Sequence, residues 1–317
     1  MALLPKKVES LFGLKPVSTG VSVFGKHPAY ADHLPLNLGD QAALAQRLRE
    51  TFYNRGITTR VGDWETLQRA GRAIPFGHWV LYREPEGAAL LRIWPSRDAV
   101  NRSDIPMVLS ATTSGLSIEW LLTNGSAVLR QCEAMCKSAK TLDEISAAVR
   151  TASEELRVLA SGGAPDKKHP EALAAWLTEP SFTAEIPALI AALRPIWEFL
   201  PLDDDARSNP PDRAAATRSA AWATVPLEGM ARWSALLDAA LAGRKIRYFL
   251  IAPDSGQWLD LLVGEPVPRQ FNSLRAGLET VPTAAAKTDE LSDSFGRQAL
   301  AWLQKLAGGA MTLPAQD

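Results

Sequence analysis

The chain has little of what most catalytic signatures require. Only two cysteines and four histidines occur in 317 residues. Cys132 and Cys136 have no second Cys/His doublet to join, which excludes an ordinary structural zinc module. So few thiols exclude a disulfide-stapled scaffold and suit a reducing compartment. There is no Gly-x-Ser-x-Gly elbow, no phosphate loop and no Gly-x-Gly-x-x-Gly turn after a strand. An excess of one charge is missing too. Thirty-four Lys and Arg against 35 Asp and Glu leave a net charge of −1, and the basic residues are scattered. That pattern gives no electrostatic footprint for nucleic acid. No run approaches the ~20 apolar residues of a membrane span. The lysines of the first ten residues follow a short apolar run, the reverse of a secretory leader. The expected location is therefore cytoplasmic, without membrane insertion.

What is present is the balance of a folded chain, with 46% apolar and 22% charged residues. Ten tryptophans supply large apolar area for a core or an interface. Residues 1–17 read as an N-terminal arm. Residues 19–25 are an apolar run ending at Gly25, a buried first strand. Asp40 to Tyr53 has helical spacing with Asp40 as its cap, and a short helix starts at Asp63. A hairpin follows, with Phe76–Arg83 and Ala88–Trp94 around the turn Glu84-Pro85-Glu86-Gly87, and Ile105–Ala111 adds a third strand. Two helical stretches come next, the second opened by the capping box at Thr141 and Glu144. A further helix is expected over 184–199, and residues 201–213 form the best loop or linker. After a helix at 227–241, strands at 245–251 and 258–263 make a late hairpin, and 268–277 reads as a short helix. Strands early, helices in the middle and strands late predict an α+β fold, a mostly antiparallel sheet flanked by helices. The expected organisation is one domain over 18–280 with a helical insertion at about 138–225, then a linker and an amphipathic C-terminal helix within 281–317.

Two motifs about 70 residues apart concentrate the unusual residues. The first is Gly25-Lys26-His27-Pro28-Ala29-Tyr30-Ala31-Asp32-His33, after the first strand. The second is Trp94-Pro95-Ser96-Arg97-Asp98-Ala99-Val100-Asn101-Arg102, at the end of the Ala88–Trp94 strand. His27, Asp32 and His33 carry the types of a metal site. Pro28 forces extended backbone there, and adjacent Asp32 and His33 would face opposite ways on a strand. The plainer reading is a loop in which Asp32 accepts backbone N–H groups. Asp98 and Arg102 form an i,i+4 pair if the segment is helical. In a loop, Arg102 can instead bridge to Asp32 or to backbone carbonyls, and a buried Asp–Arg link between the motifs would stiffen the loop face of the sheet. No metal and no cofactor is expected.

These motifs resemble the N-terminal domain of the TagF/ImpM family, accessory proteins of bacterial type VI secretion. Gly25, Lys26, Pro28 and Asp32 fill that family's first pattern, with Tyr30-Ala31 in place of Arg-Gly. Pro95, Ser96, Asp98 and Arg102, with Pro106 beyond them, fill the second. Asn101 stands for a glycine there, as a residue that also accepts left-handed backbone. The similarity runs over about 20–275 but not through the middle segment. It implies a non-enzymatic cytoplasmic regulator or adaptor that binds other secretion-system proteins, a forkhead-associated scaffold among them. The other readings are a metal-dependent hydrolase using the His27/Asp32/His33 loop and a structural subunit of a larger secretion assembly.

Overall fold

The computed structural model describes residues 17–35, 37–163, 170–199, 214–242, 244–276 and 293–311. The arm at 1–16, the linker at 201–213, His169 and residues 277–292 lie outside them. The fold is α+β, with antiparallel strand pairs. The chain divides into two compact units, Met1–Thr66 with Pro75–Lys167, and Leu67–Ile74 with Lys168–Asp317. The segment 138–225 contributes helix to the first unit and both helix and strand to the second.

In the first unit the strands are β1 (Ser18–Phe24), β2 (His78–Glu84), β3 (Gly87–Trp94) and β4 (Met107–Ser114). They pair in the order β1-β4-β3-β2. Their residues are buried almost without alternation, as in a sheet covered on both faces. Pro85 and Glu86 make the two-residue turn of the β2–β3 hairpin. Helix α1 (Ala43–Leu48) runs into a π-helical stretch over Arg49–Ile57, and α2 (Val61–Arg69) buries Trp64 edge-on against Phe76. Asp40 is not the side-chain cap of α1. Its carboxylate accepts the Ala42 N–H at 2.9 Å and the Thr112 hydroxyl at 2.8 Å, while its backbone N–H donates to Val21. Asp40 thus covers the outer edge of β1, which would otherwise offer bare backbone for pairing.

Helix α3 (Ser126–Ser138) and helix α4 (Leu142–Ala160) complete the unit. Thr141 caps the helix, its hydroxyl accepting the Glu144 N–H, but the return bond of the box is shifted by one residue: Glu144 accepts the N–H of Lys140 rather than that of Thr141. Ser153 on α4 bonds the Val21 backbone, so the helix lies along β1. Cys132 and Cys136 share one face of α3, both fully buried and unoxidised.

In the second unit β5 (Ala215–Ser219), β6 (Tyr248–Pro253) and β7 (Leu259–Val263) pair in the order β6-β7-β5. Helices α5 (Pro170–Leu177), α6 (Ile186–Phe199), α7 (Pro226–Ala240) and α8 (Ser294–Leu306) surround them. The α8 start is capped by Asp293, which also pairs with Arg194 of α6 at 2.6 Å. Arg218 and Asp260 face each other across β5 and β7 as a fully buried two-bond pair at 2.5 and 2.8 Å. The Arg218 guanidinium lies over the Trp258 ring at 4.3 Å. Among the described residues no helix is long and apolar enough to cross a membrane.

Candidate functional site

The two motifs meet at one end of β1 and β3 in the first unit. The meeting starts at Gly25, where the chain leaves β1 with φ +121°. A Cβ there would stand 2.2 Å from the Pro106 carbonyl, so only glycine lets the first loop pass this close to the start of β4. Lys26 then pairs with His33, and Leu34 donates to the Gly25 carbonyl at 2.8 Å, which closes residues 26–33 into a compact loop. We expect Gly25→Ala to cost about 1–3 kcal/mol through backbone strain alone, more with the clash, read by chemical denaturation. A neutral result would show that the loop can relax away from Pro106.

Asp98 organises the second loop. Its side chain is fully buried and accepts the backbone N–H of Val100 at 3.1 Å and of Arg102 at 2.9 Å. The Arg102 Nε donates to it at 2.6 Å, and the Lys26 ammonium from the first motif stands 3.5 Å away. Burial alone would lift this carboxyl. The Arg102 backbone and guanidinium, with Lys26, overcome it and hold the group below the ordinary carboxylate range. Asn101 takes the left-handed conformation, φ 67°, that the tight turn demands.

The residues 98–102 form a loop, not a helical turn, and the expected buried Asp32–Arg102 link does not form. Asp32 is exposed and lies 3.7 Å from the guanidinium, while its Oδ1 accepts the His33 N–H at 2.8 Å. The bonds that join the motifs run elsewhere. Arg102 Nη2 donates to the Ala31 carbonyl at 2.8 Å, and the Ala99 N–H donates to the Tyr30 carbonyl at 2.8 Å. Lys26 bridges Asp98 to Asp104, the latter at 2.7 Å. Asp104 lies in the short stretch between Arg102 and Pro106.

His27 has no nitrogen to spare. Its Nδ1 accepts the Ala29 N–H at 3.0 Å, so its Nε2 carries the proton and donates to the Cys136 carbonyl at 2.8 Å. His33 shares a short hydrogen bond with the buried Tyr53 hydroxyl. Among the described residues no group of three His, Cys, Asp or Glu side chains could hold a metal ion. Burial lowers both imidazoles; Lys140 adds to this at His27, and Lys26 at His33. The unfolded chain therefore takes up these protons first, and the stability they confer is complete above about pH 6.5. It is lost as the pH falls through the lower folded values. Thermal melts should show wild-type stability declining below this pH, with a shallower decline in His27→Gln. An equal slope in both would mean that His27 is not held neutral.

Pro28, Pro95 and Ser96 lie together at the surface of the joined loops. With Trp94 they line an open cleft of about 340 Å³, walled on one side by His27. Arg97 and Lys137 flank it, with the Lys137 ammonium 5.7 Å from the centre of the Trp94 ring. Trp94 is the tryptophan that lines this cleft. Trp64 lies against Phe76, and Trp79 lies beneath Arg92 and Arg130. The contribution of Lys137 and Asp104 was not foreseen. Lys137 carries no local signal, being the basic residue in the last turn of α3.

Comparison with known protein families, with curated proteins and with solved structures returns no match for this chain.

Proposed function

We propose that the chain is a non-enzymatic regulatory adaptor of a type VI secretion system, cytoplasmic, which acts by binding other proteins through the joined loops. The observation that carries this reading is Asp98. A buried carboxylate with four donors from two distant motifs spends its charge on holding a surface in shape. His27 is committed in the same way, with both ring nitrogens bonded to backbone. Such a face is preorganised, which lowers the entropy lost when a partner docks. The resemblance to the TagF/ImpM family supplies the class of partner, secretion-system proteins with a forkhead-associated scaffold as the first to look for.

The test is affinity purification of the tagged chain from its host with mass spectrometry of the retained proteins. Type VI components should be retained by the wild type and depleted with Arg102→Ala, whose guanidinium joins the loops at the surface. Retention of no such component by the wild type would remove the reading. Asp32→Ala should deplete them less, because Asp32 makes only the longer contact to Arg102.

A further inference from the structure

The cleft beside the joined loops has a chemistry of its own. It is lined by the buried Trp94 indole and the exposed rings of Pro28 and Pro95, aromatic and proline surface of the kind on which extended, proline-rich segments dock. Its rim is cationic. Arg97 has the Asn101 amide as its hydrogen-bond partner, which leaves the guanidinium charge unneutralised. Lys137, half-exposed, pairs with Glu133 of its own helix at 2.6 Å and still presents its ammonium to the cleft. Lys140 is near enough to act on His27, which forms one wall. On a chain of net charge −1 this is a local excess of positive charge. Asp98 and Asp104 are taken by Lys26 and Arg102, and the exposed Asp32 stands against Arg102 rather than Arg97. The cleft is open rather than enclosed, and its volume is at the lower end of ligand pockets.

From the aromatic and proline lining and the cationic rim, we infer that this cleft binds an extended, acidic peptide segment of the partner, with Asp or Glu side chains on Arg97 and Lys137. The inference rests on the protein-binding reading above and names the chemistry of that contact. Arg97 sets the orientation through planar, two-bond recognition of a carboxylate, and Lys137 adds a point charge. Trp94 and the prolines contact the backbone and apolar atoms between the acidic groups. Binding should weaken with salt, because the rim charges are open to solvent.

The test uses the full chain and three fluorescein-labelled octapeptides, alternating Glu-Pro, Gln-Pro and phosphoserine-Pro, followed by fluorescence anisotropy. The Glu-Pro peptide should bind at least about tenfold more tightly than the Gln-Pro peptide, and the double variant Arg97→Glu/Lys137→Glu should lose that preference. Both substituted side chains are exposed, but Lys137 pairs with the buried Glu133, so the charge-reversed double variant should melt below the wild type. Arg97→Glu with Lys137→Gln, which sets no like charge beside Glu133, should melt close to the wild type and lose the same preference. Equal binding of the Glu-Pro and Gln-Pro peptides would overturn the inference, as would binding of neither up to about 1 mM or indifference to the charge reversal. A phosphoserine-Pro peptide roughly tenfold tighter than Glu-Pro would also overturn it and assign the cleft to phosphorylated segments. The same double variant in the host purification separates this idea from the adaptor reading. Type VI components retained by Arg97→Glu/Lys137→Glu but lost with Arg102→Ala would leave the adaptor standing without the cleft.

Discussion

Replacing Asp98 by alanine should release the second loop and reduce capture of partner proteins by roughly tenfold or more, the scale of a hot-spot residue. Asp98 touches no solvent, so the effect arises entirely through the groups it holds. Without it the N–H groups of Val100 and Arg102 lose their acceptor, and the Arg102 guanidinium loses its 2.6 Å anchor. The bond from Arg102 to the Ala31 carbonyl then depends on a side chain free to rotate. Lys26 keeps Asp104, so the first loop is loosened less than the second. Amide exchange should accelerate at residues 99–102 while strands β1 to β4 keep their protection. Asp98→Asn separates the two roles of the carboxylate. It retains an oxygen for the backbone N–H groups but abandons the charge that draws Lys26 and Arg102. Its capture should fall between wild type and Asp98→Ala. Full capture by Asp98→Ala would mean that the loops are not the binding face.

The second large effect is expected in the other unit, where Asp260→Ala should cost about 3–5 kcal/mol of stability by stranding a buried cation. Arg218 lies in the middle of β5, directly opposite Asp260, with both side chains shut off from water. Burial raises the Asp260 carboxyl against the pull of Arg218, so the pair is not a clear gain over apolar packing. That makes the sign of the double variant informative. Arg218→Met with Asp260→Leu should recover most of the loss, because shape is kept and no charge is left unpaired. Chemical denaturation of the two single variants and the double measures the coupling directly. A double variant as damaged as the singles would show that the pair serves packing at a shape these apolar residues cannot fill.

This ion pair also explains why β5 escaped the sequence. Ala-Ala-Thr-Arg-Ser at 215–219 has neither the apolar run nor the alternation that marks a strand, and its arginine argues for a surface. Only the partner 42 residues away makes the segment a buried strand. Elements whose signals are local were legible. The early hairpin was marked by its Pro-containing turn and β-branched strands, and α4 by its Thr141 cap. The π-helical stretches at Arg49–Ile57 and Leu121–Gly125 were not, because their apolar spacing still reads as helix.

At the site the sequence located the residues but not their bonds. Gly25 and Asn101 were legible as turn formers because the backbone there needs left-handed or permissive conformations. The identity of the buried carboxylate was not. Both Asp32 and Asp98 sit in polar loops of similar composition, and only the path of the chain decides that Asp98 turns inward and Asp32 outward. The cleft was invisible for the same reason, since Lys137 enters from a helix with no motif of its own.

The central claim is that the joined loops form the surface a partner grips. It is tested most directly by amide hydrogen exchange on the chain alone and with its captured partner. Residues 26–34 and 95–106 should slow together on binding, and Asp98→Ala should abolish that footprint. Protection confined to other segments, with both loops exchanging as in the free chain, would contradict the account.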